Sequence, residues 1–351
     1  MLFRSMARTG HGSGGYLECV LAATAMGLDS VMNPPSILVT GASGQIGQFV
    51  IPRLLRSGNE VIALSRRGPP VNYPEFPNLR WIQPSQLERA GAGVTSMISA
   101  GPMVLALECL ESCHGIRRAI VFSTTSVTVK ARSGSFHERA QMAELADIEE
   151  ALRNRADRRN VELCLLRPTL IYGAGADENV SRIARWVKSW PIIPVVGRAG
   201  GLRQPVHADD LAIAAARVVA MSAEIPGELT LCGGSTLSFR AMVVSICQGA
   251  AVRCWILTMP GAPLIGLFSL MGRFSKRASV FAEMLRRQAV DLKFDDGVAR
   301  QIIDWAPREF APTASDFQAP SAAFLSSLAG HAENRDDSSK DDKMPVYSQE
   351  E

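Results

Sequence analysis

The chain has 351 residues, of which 47% are hydrophobic and 20% are charged, and its formal net charge is +3 at pH 7. This length allows one large or two modest domains with a sizeable core. Lys and Arg are spread along the chain, which excludes the concentrated basic face of a nucleic-acid-binding protein. The seven cysteines include no Cys-x-x-Cys pair and no accompanying histidine cluster. This pattern argues against a metal site and favours buried or free thiols in a reducing, cytoplasmic compartment over a disulfide framework.

Both ends of the chain are predicted to lie outside the fold. Residues 1–34 carry Arg4 and Arg8 but lack the contiguous apolar segment of a signal peptide. They are either a targeting segment or the product of a misassigned translation start, with Met32 as the candidate first residue. Residues 326–351 are predicted to form a disordered acidic tail, because apolar groups that could offset the entropy of ordering are scarce there.

The first predicted strand, Ile37–Thr40, leads into a glycine-rich turn and then into a helix that starts at Gln45. Gly41, Gly44 and Gly47 let the backbone turn tightly and approach phosphate groups, and the N-terminus of the helix faces the anion. The spacing is Gly-x-x-Gly-x-x-Gly rather than the commoner Gly-x-Gly-x-x-Gly. The loop predicts a dinucleotide-binding site with these contacts: Gly41, Ser43, Gly44, Gln45, Ile46 and Gly47.

The second predicted strand, Glu60–Ser65, ends beside Arg66 and Arg67. At this position of a dinucleotide site, an acidic residue would accept hydrogen bonds from the adenosine ribose of NAD. Two guanidinium groups can instead bind a 2′-phosphate bidentately, so the sequence favours NADP over NAD as cofactor. A solvated pair of arginines at a strand end is the alternative interpretation.

The remaining predicted elements continue the alternation of strands and helices. The later strands are Leu79–Gln83, Met103–Leu107, Ala119–Ser123, Glu162–Arg167 and Glu228–Leu231. The helices are Gln45–Ser57, Leu107–His114, Glu138–Arg159, Glu178–Trp190, Asp209–Met221 and Ser238–Gly249. This order predicts an α/β fold with a Rossmann-type doubly wound parallel sheet and a smaller C-terminal substrate lobe. The strand ends add further candidate cofactor contacts: Ala106, Leu107, Ser123 and Thr124.

We expect an NAD(P)-binding domain from residues 35–170 and 204–225, and a substrate lobe from residues 171–203 and 226–325. Within the lobe, the uncharged stretch from Cys254 to Gly272 approaches the length of a membrane span. Its prolines and glycines would interrupt a spanning helix, so we expect a buried or interfacial segment, and membrane contact is the less favoured alternative.

Four ordered motifs resemble the NAD-dependent epimerase/dehydratase family, a branch of the extended short-chain dehydrogenase/reductase superfamily that includes atypical members. They are Thr-Gly-Ala-Ser-Gly-Gln-Ile-Gly at 40–47, Phe-Ser-Thr-Thr-Ser-Val at 122–127, Leu-Arg-Pro-Thr-Leu-Ile-Tyr-Gly at 166–173 and Gln-Pro-Val-His-Ala-Asp-Asp-Leu-Ala at 204–212. The resemblance covers most of residues 36–312. It implies a bound dinucleotide and a small-molecule substrate, and it leaves open a homodimer or a protein-complex partner.

The resemblance also implies a catalytic Ser or Thr, a Tyr, and a Lys four residues beyond the Tyr. Thr125 occupies the Ser/Thr position, although its hydroxyl could instead be satisfied by the backbone. Alignment of Glu149 with the acidic residue usual in the family puts Gln141 at the Tyr position and Leu145 at the Lys position. Neither side chain can transfer a proton, so the usual catalytic pair is absent.

Tyr172, which follows the sixth strand, is the candidate replacement proton donor, and a structural or binding role is its alternative. His137, Lys130 and His207 are weaker candidates, because two are expected in solvated loops and His207 is expected to support local structure. A predicted helix carries three basic residues spaced three apart: Arg182, Arg185 and Lys188. They could bind an anionic ligand or form a solvated basic face.

Two functions remain open from the sequence. The first is an NADP-dependent oxidoreductase or epimerase that acts on a nucleotide sugar or a small carbonyl compound. The second is a non-catalytic NADP(H)-binding sensor or an accessory subunit of a larger complex. The missing Tyr and Lys favour the second function, whereas the resemblance to a family of enzymes favours the first.

Overall fold

The computed structural model describes residues 36–127, 136–261, 263, 266, 269–270 and 285–330. The predictions for residues 1–34, for Lys130 and for residues 331–351 lie outside these ranges. All elements described below belong to the unit that begins at Ser36.

Short apolar segments form the strands of the described chain. In chain order they are β1 (Ser36–Thr40), β2 (Glu60–Leu64), β3 (Leu79–Ile82), β4 (Val94–Ser99), β5 (Arg118–Phe122), β6 (Glu162–Pro168), β7 (Leu170–Tyr172), β8 (Ile192–Val196), β9 (Leu202–Arg203), β10 (Pro205–His207), β11 (Glu228–Leu231), β12 (Leu237–Ser238) and β13 (Trp255–Met259).

Helices connect most of these strands. They are α1 (Gly47–Arg56), α2 (Leu87–Ala90), α3 (Met103–Ser112), α4 (Phe136–Arg159), α5 (Val180–Ser189), α6 (Ala208–Val219), α7 (Phe239–Gly249), α8 (Gly297–Ile303) and α9 (Ala322–Leu328). Their bounds differ by a few residues from the predicted helices, as expected where helix ends fray.

Seven strands form one parallel sheet in the order β11-β6-β5-β4-β1-β2-β3. Every residue of β1 is buried, because helices cover both faces of the sheet. The strand order reverses beside β1, which lies between β2 and β4. The predicted α/β fold with a Rossmann-type parallel sheet is therefore confirmed, and its topological switch point falls at the glycine-rich turn.

Alternate residues of β1 enter different cores. Ile37 and Val39 belong to the core that contains α1 and α6, whereas Leu38 belongs to the core that contains α3 and α4. This division follows from the two-residue period of a strand. Both cores therefore pack against β1, and the glycine-rich turn follows at the carboxyl end of this strand.

The predicted strand Met103–Leu107 is wrong, because α3 covers it and β4 is the strand before it. Pro102 lies directly before the helix, and Met103, Ala106 and Leu110 form one buried helical face. Ala106 and Leu107 are consequently not at a strand end. Ala106 is fully buried in the core, so the structure contradicts the basis on which both were predicted as cofactor contacts.

Three small sheets and a third core form the C-terminal part of the molecule. The strand pairs are β7 with β10, β9 with β12, and β8 with β13. The third core contains the buried faces of α5 and α7 together with Tyr172 and Phe310. The residue boundaries between nucleotide-binding domain and substrate lobe stay a prediction.

A disulfide joins Cys247 to Cys254, which corrects the expectation of free thiols at these positions. Cys247 lies near the end of α7, and the chain turns back within a few residues to begin β13 just after Cys254. The turn brings the two Cα atoms within 6.3 Å of each other. Of the other described cysteines, four are buried and free: Cys109, Cys113, Cys164 and Cys232.

The predicted tail starts too early at residue 326. Helix α9 continues to Leu328, and its Leu325 is buried against the core that contains α1. The Ser321 side chain accepts a hydrogen bond from the Phe324 N–H and so caps the start of this helix. The cap and the buried Leu325 thus stabilise a helix that extends into the predicted tail.

Candidate functional site

The glycine-rich turn is built from close backbone contacts. Gly41 has a φ of +64°, a conformation that L side chains rarely adopt, and its carbonyl accepts a hydrogen bond of 2.8 Å from the Gly44 N–H. A Cβ on Gly44 would lie 2.9 Å from that carbonyl oxygen, and a Cβ on Gly47 would lie 2.7 Å from the Cα of Ala42. The turn therefore requires all three glycines sterically.

The loops after β1 and β4 touch at the switch point. A Cβ on Gly41 would lie 2.6 Å from the Ala100 carbonyl carbon, and a Cβ on Gly101 would lie 3.1 Å from the Gly41 nitrogen. The first turn of α1 contains no acidic residue, so its partial positive charge is unopposed. This cradle fits a dinucleotide pyrophosphate, which binds by backbone N–H groups at a helix N-terminus.

The other predicted contacts of the turn have different positions. The Ser43 Oγ lies 3.0 Å from the Ser65 Oγ, and the Gln45 Nε2 donates a 2.7 Å hydrogen bond to the Gly173 carbonyl. The Ile46 side chain is buried in the core, which leaves only its backbone to face a ligand. The turn is thus tied to β2 on one side and to the segment after β7 on the other.

Arg66 and Arg67 follow β2 and are both exposed. The Arg67 N–H donates a hydrogen bond of 3.3 Å to the Ser65 Oγ. Ser65 also contacts Ser43 of the glycine-rich turn. The backbone that carries Arg66 and Arg67 therefore lies next to the turn.

A cavity of about 1400 Å³ lies beside the glycine-rich turn. It is lined by Gln45 from the turn, by Thr124, Thr125 and Ser126 after β5, and by the start of α4. Apolar side chains form its far side: Ile183, Trp186, Ile193, Phe239, Met242, Met259, Leu285, Leu292 and Phe294. The cavity thus joins the switch point to the C-terminal part of the chain.

Ser123, Thr124 and Thr125 lie together after β5, and their hydroxyls have protein partners. Ser123 donates to Glu149, and the Thr124 Oγ1 accepts from the Ser126 N–H at 3.1 Å. The Thr125 Oγ1 donates to the Pro168 carbonyl at 3.1 Å. Thr125 therefore lines the cavity with the backbone-bonded geometry that was its alternative interpretation.

Glu149 is a buried link between α4 and the sheet. Its carboxylate accepts from Ser123 and forms a 2.7 Å ion pair with Arg167 on β6. This position fixes the rotation of α4 against the sheet. With that rotation, Gln141 is exposed and Leu145 packs against the core that contains α3.

Tyr172 does not line the cavity and is only 2% exposed. Its ring packs edge-on against His207 and Phe310, with 5.0 Å between centroids in each pair. Burial raises the pKa of its phenol, and the nearby Asp316 charge adds to that effect. The prediction of Tyr172 as a proton donor does not fit this placement, and the structural role that was its alternative does.

His207 caps α6 rather than facing the cavity. Its Nδ1 accepts a 3.1 Å hydrogen bond from the Asp209 N–H, so Nε2 carries the hydrogen and lies 3.2 Å from Asp316. Both ring nitrogens are thereby engaged. Its expected role in local structure agrees with these contacts.

His137 and Glu138, at the start of α4, line the cavity opposite the glycine-rich turn. Glu138 is buried and forms an ion pair with Arg287, which also lines the cavity. His137 is exposed. Of the histidines in the described ranges, it is the one that lines this cavity.

Sequence reasoning missed Arg203, a buried cation in the cavity wall. Its guanidinium donates to the carbonyls of Leu202, Val290 and Arg287, and lies 5.8 Å from the centre of the Phe239 ring. Burial lowers the pKa of Arg203 to about 10. No local sequence pattern marks it, because its partners lie far along the chain.

The three basic residues of α5 do not act as one site. Arg182 lines the cavity and pairs with Glu178 at 3.7 Å. Arg185 donates to the Gly175 carbonyl at 2.9 Å, and Lys188 is exposed. Among the described residues, no group of three or more His, Cys, Asp or Glu side chains is placed to hold a metal ion.

The fold and the glycine-rich turn define a protein of the Rossmann type. Residues 37–101 match the NAD dependent epimerase/dehydratase family. The match covers the first strand, the glycine-rich turn and the segment up to the loop after β4, so it agrees with the resemblance of the first motif, at 40–47.

One curated relative is an uncharacterized protein, y4nG, from Sinorhizobium fredii. It is 26% identical to the chain over 212 residues, which are 50% of this chain and 51% of the relative. The chain thus spans about half the length of the curated relative it matches.

Solved structures share the fold at low sequence identity. The crystal structure of gox2253 has a TM-score of 0.62 at 15% identity and covers 85% of this chain and 99% of its own. MoeE5 in complex with UDP-glucuronic acid and NAD has a TM-score of 0.57 at 20% identity, covering 81% and 97%. UDP-N-acetylglucosamine 4-epimerase from Bacillus cereus has a TM-score of 0.55 at 13% identity, covering 90% and 100%. These similarities establish the architecture of the chain.

Proposed function

We propose that this protein binds NADP(H) at the glycine-rich turn and uses it in an epimerase or oxidoreductase reaction on a small molecule in the adjoining cavity. The observation that carries the proposal is that the glycine-rich turn and the segment after β5 border the same cavity. Gln45 of the turn and Thr124 and Thr125 after β5 all line this cavity of about 1400 Å³. A dinucleotide over the turn would present its nicotinamide to that cavity. A cavity of this size can hold a small molecule beside the nicotinamide.

The structural relatives support the substrate class. MoeE5 binds UDP-glucuronic acid together with NAD, and the Bacillus cereus protein is a UDP-N-acetylglucosamine 4-epimerase. A nucleotide sugar or a small carbonyl compound is therefore our proposed substrate. The nicotinamide cofactor would supply reversible hydride transfer when bound.

Proton transfer requires a group other than the usual pair. Gln141 and Leu145 cannot exchange protons, and Tyr172 is sealed in the core. His137 lines the cavity, and its imidazole can both donate and accept a proton. We propose His137 as the proton-transferring group, with Thr125 contacting the substrate beside it.

The preference for NADP rests on Arg66 and Arg67. Both are exposed directly after β2, where the adenosine ribose of a dinucleotide lies. We expect Arg66→Glu to weaken NADPH binding by about tenfold or more, because a charge-assisted pair becomes a repulsion, and to leave NADH binding almost unchanged. Fluorescence titration of each nucleotide measures both affinities.

The matched control for that variant is Arg89→Glu. Arg89 is also exposed, on α2, so the substitution changes net charge equally. If Arg66→Glu and Arg89→Glu affect NADPH binding alike, the assignment of the ribose-phosphate site is wrong.

Turnover is tested by incubation of the protein with NADPH or NADP⁺ and a panel of carbonyl compounds and nucleotide sugars. NADPH absorbance reports net reduction, and product chromatography reports epimerisation, in which the cofactor is regenerated. We expect His137→Ala to lower kcat by about 10²–10⁴-fold with NADPH binding retained. Turnover unaffected by this variant would remove His137 from the reaction.

A second candidate function is a non-catalytic NADP(H)-binding sensor or accessory subunit. The observation that favours it is that Ser123 and Thr125 donate their hydroxyl hydrogens to protein partners, Glu149 and the Pro168 carbonyl. Tight binding of NADPH with no conversion of any compound in the panel would support this function. Failure to bind either nucleotide would contradict both candidates.

A further inference from the structure

One face of the C-terminal part exposes an unusual set of large apolar side chains. We call it the tryptophan face and define it by five residues with these exposed fractions: Trp186 53%, Trp190 68%, Ile192 50%, Trp255 72% and Leu257 54%. The chain contains five tryptophans, so three of them lie on this one face. An apolar patch of this kind marks an interaction site on a soluble domain.

The pairing of β8 with β13 produces the face. Trp255 lies opposite Ile192, and Leu257 lies opposite Pro194, in a parallel register. Paired residues of a parallel sheet share a face, and so do residues two apart on one strand. The intervening residue Ile193 points the other way, into the third core. Ile192, Trp255 and Leu257 therefore lie on the same exposed side of the small sheet.

Hydrogen bonds hold the tryptophans of the adjoining helix in place. The Trp186 indole N–H donates to the Ile192 carbonyl at 3.1 Å, and the Trp190 N–H donates to the Trp186 carbonyl at 2.8 Å. The Trp255 N–H donates to the Pro191 carbonyl at 2.7 Å. The exposed rings thus stand on a hydrogen-bonded backbone.

The charged residues of the two segments that supply the face are all cations, since residues 179–198 and 250–261 contain no Asp or Glu. The nearest acidic residue along the chain is Glu178, which pairs with Arg182 at 3.7 Å. Arg185, Lys188 and Arg253 are exposed there, close in sequence to the tryptophans. The chain as a whole carries only +3, so this is a local excess of cations.

We propose that the tryptophan face docks on an anionic lipid membrane surface. Indole rings favour the headgroup region of a bilayer, where their apolar body and N–H group are both satisfied. The surrounding cations would be attracted to anionic headgroups. A second copy of the chain is a poorer partner, because a two-fold contact between two such faces would bring cations together without acidic partners from these segments.

Docking of this kind needs no spanning segment. No helix in the described ranges is long and apolar enough to cross a bilayer, which is a separate matter from lying on its surface. Trp186 belongs both to the tryptophan face and to the lining of the cavity. Docking would therefore hold that cavity wall at the lipid headgroups. The inference stands independently of the function proposed above.

Vesicle co-sedimentation tests the proposal. The full chain is incubated with vesicles of phosphatidylcholine alone and with vesicles of equimolar phosphatidylcholine and phosphatidylglycerol. We expect binding to the anionic vesicles, and we expect it to fall about tenfold in the double variant Trp190→Ser with Trp255→Ser. Lys188→Ala with Arg253→Ala should lower binding by about fivefold per cation. The control is Val71→Ser, because Val71 is 91% exposed and lies far along the chain, after β2.

A second measurement uses the unaltered protein. Lipids brominated near the headgroup should quench part of its tryptophan fluorescence, since three of the five indoles would enter the interface while Trp305 stays buried. Urea unfolding of each variant shows whether its fold is intact. Absence of both sedimentation and quenching would overturn the proposal. Equal binding of the Trp190/Trp255 variant, or a dimer that buries these rings, would overturn it too.

Discussion

At the scale of single residues, the three glycines of the first turn have different physical reasons for lacking a side chain. Gly41 needs its positive φ, and Gly44 and Gly47 leave room for the backbone of Gly41 and Ala42. The contacts are between backbone atoms, which cannot move aside as a flexible side chain can. The turn therefore has little tolerance for even one methyl group.

We expect Gly47→Ala to lower the free energy of unfolding by about 1–3 kcal/mol and to weaken NADPH binding. The added Cβ would lie 2.7 Å from the Ala42 Cα and so would push the start of α1 away from β1. Urea unfolding and nucleotide titration measure the two effects. Gly93→Ala is the control, since a Cβ there meets nothing within 4 Å. Equal behaviour of the two variants would contradict the steric argument.

At the scale of elements, an ionic cluster ties α1, α6 and the segment after α8 together. Arg308 lies 2.8 Å from Asp209 and 2.7 Å from Asp210, both buried in the first turn of α6. Arg53 of α1 pairs with Asp209 at 2.6 Å. Burial lowers the pKa of the Arg308 guanidinium, but the bonds and charges of Asp210 and Asp209 outweigh it and raise the pKa.

We expect Arg308→Met to lower the free energy of unfolding by about 2–3 kcal/mol, because two buried carboxylates lose their shared partner. Arg308 is itself 42% exposed, which keeps the loss below that of a fully buried pair. Arg300→Met is the control, because Arg300 on α8 is half exposed and pairs with Asp296, the residue directly before that helix. Its loss should be under about 0.5 kcal/mol. Similar losses in the two variants, measured by urea unfolding, would count against the cluster.

At the scale of the whole molecule, Asp316 joins distant parts of the chain. Its carboxylate faces His207 at the end of β10 and accepts from Thr313, and its carbonyl accepts from Gly175 after β7. Burial raises the pKa of this carboxyl, but its hydrogen bonds with His207 and Thr313 outweigh burial and hold the pKa below its usual range.

A lowered carboxyl pKa contributes stability that is present at neutral pH and is lost as the pH falls through the folded-state pKa. We expect Asp316→Asn to lower the free energy of unfolding by about 1–2 kcal/mol at pH 7. The difference from the unaltered protein should shrink toward zero in acid. Urea unfolding at a series of pH values measures this trend, and Asp147→Asn, exposed on α4, is the control. A difference that is constant with pH would show that the charge of Asp316 is not responsible.

Local patterns allowed much of the fold to be predicted. The buried run of β1, the glycine spacing after it and the long helix α4 were recognisable because neighbours in sequence determine strand period, turn geometry and helix length. The wrong prediction of a strand at Met103–Leu107, in place of β4, also comes from reading a local pattern. Apolar residues of Met103–Leu107 fit either a strand or a buried helix face, and only contacts with the sheet distinguish the two.

The candidate site divides in the same way. The sequence by itself determined the glycine-rich turn and the paired arginines after β2, because each is a property of residues close along the chain. The tertiary structure alone decided that Tyr172 is sealed in the core, that Cys247 meets Cys254, and that Arg203 lines the cavity. It also decided that the indoles of α5 and β13 share one face. These outcomes depend on partners far apart in sequence, whose meeting is set by packing and not by any local pattern.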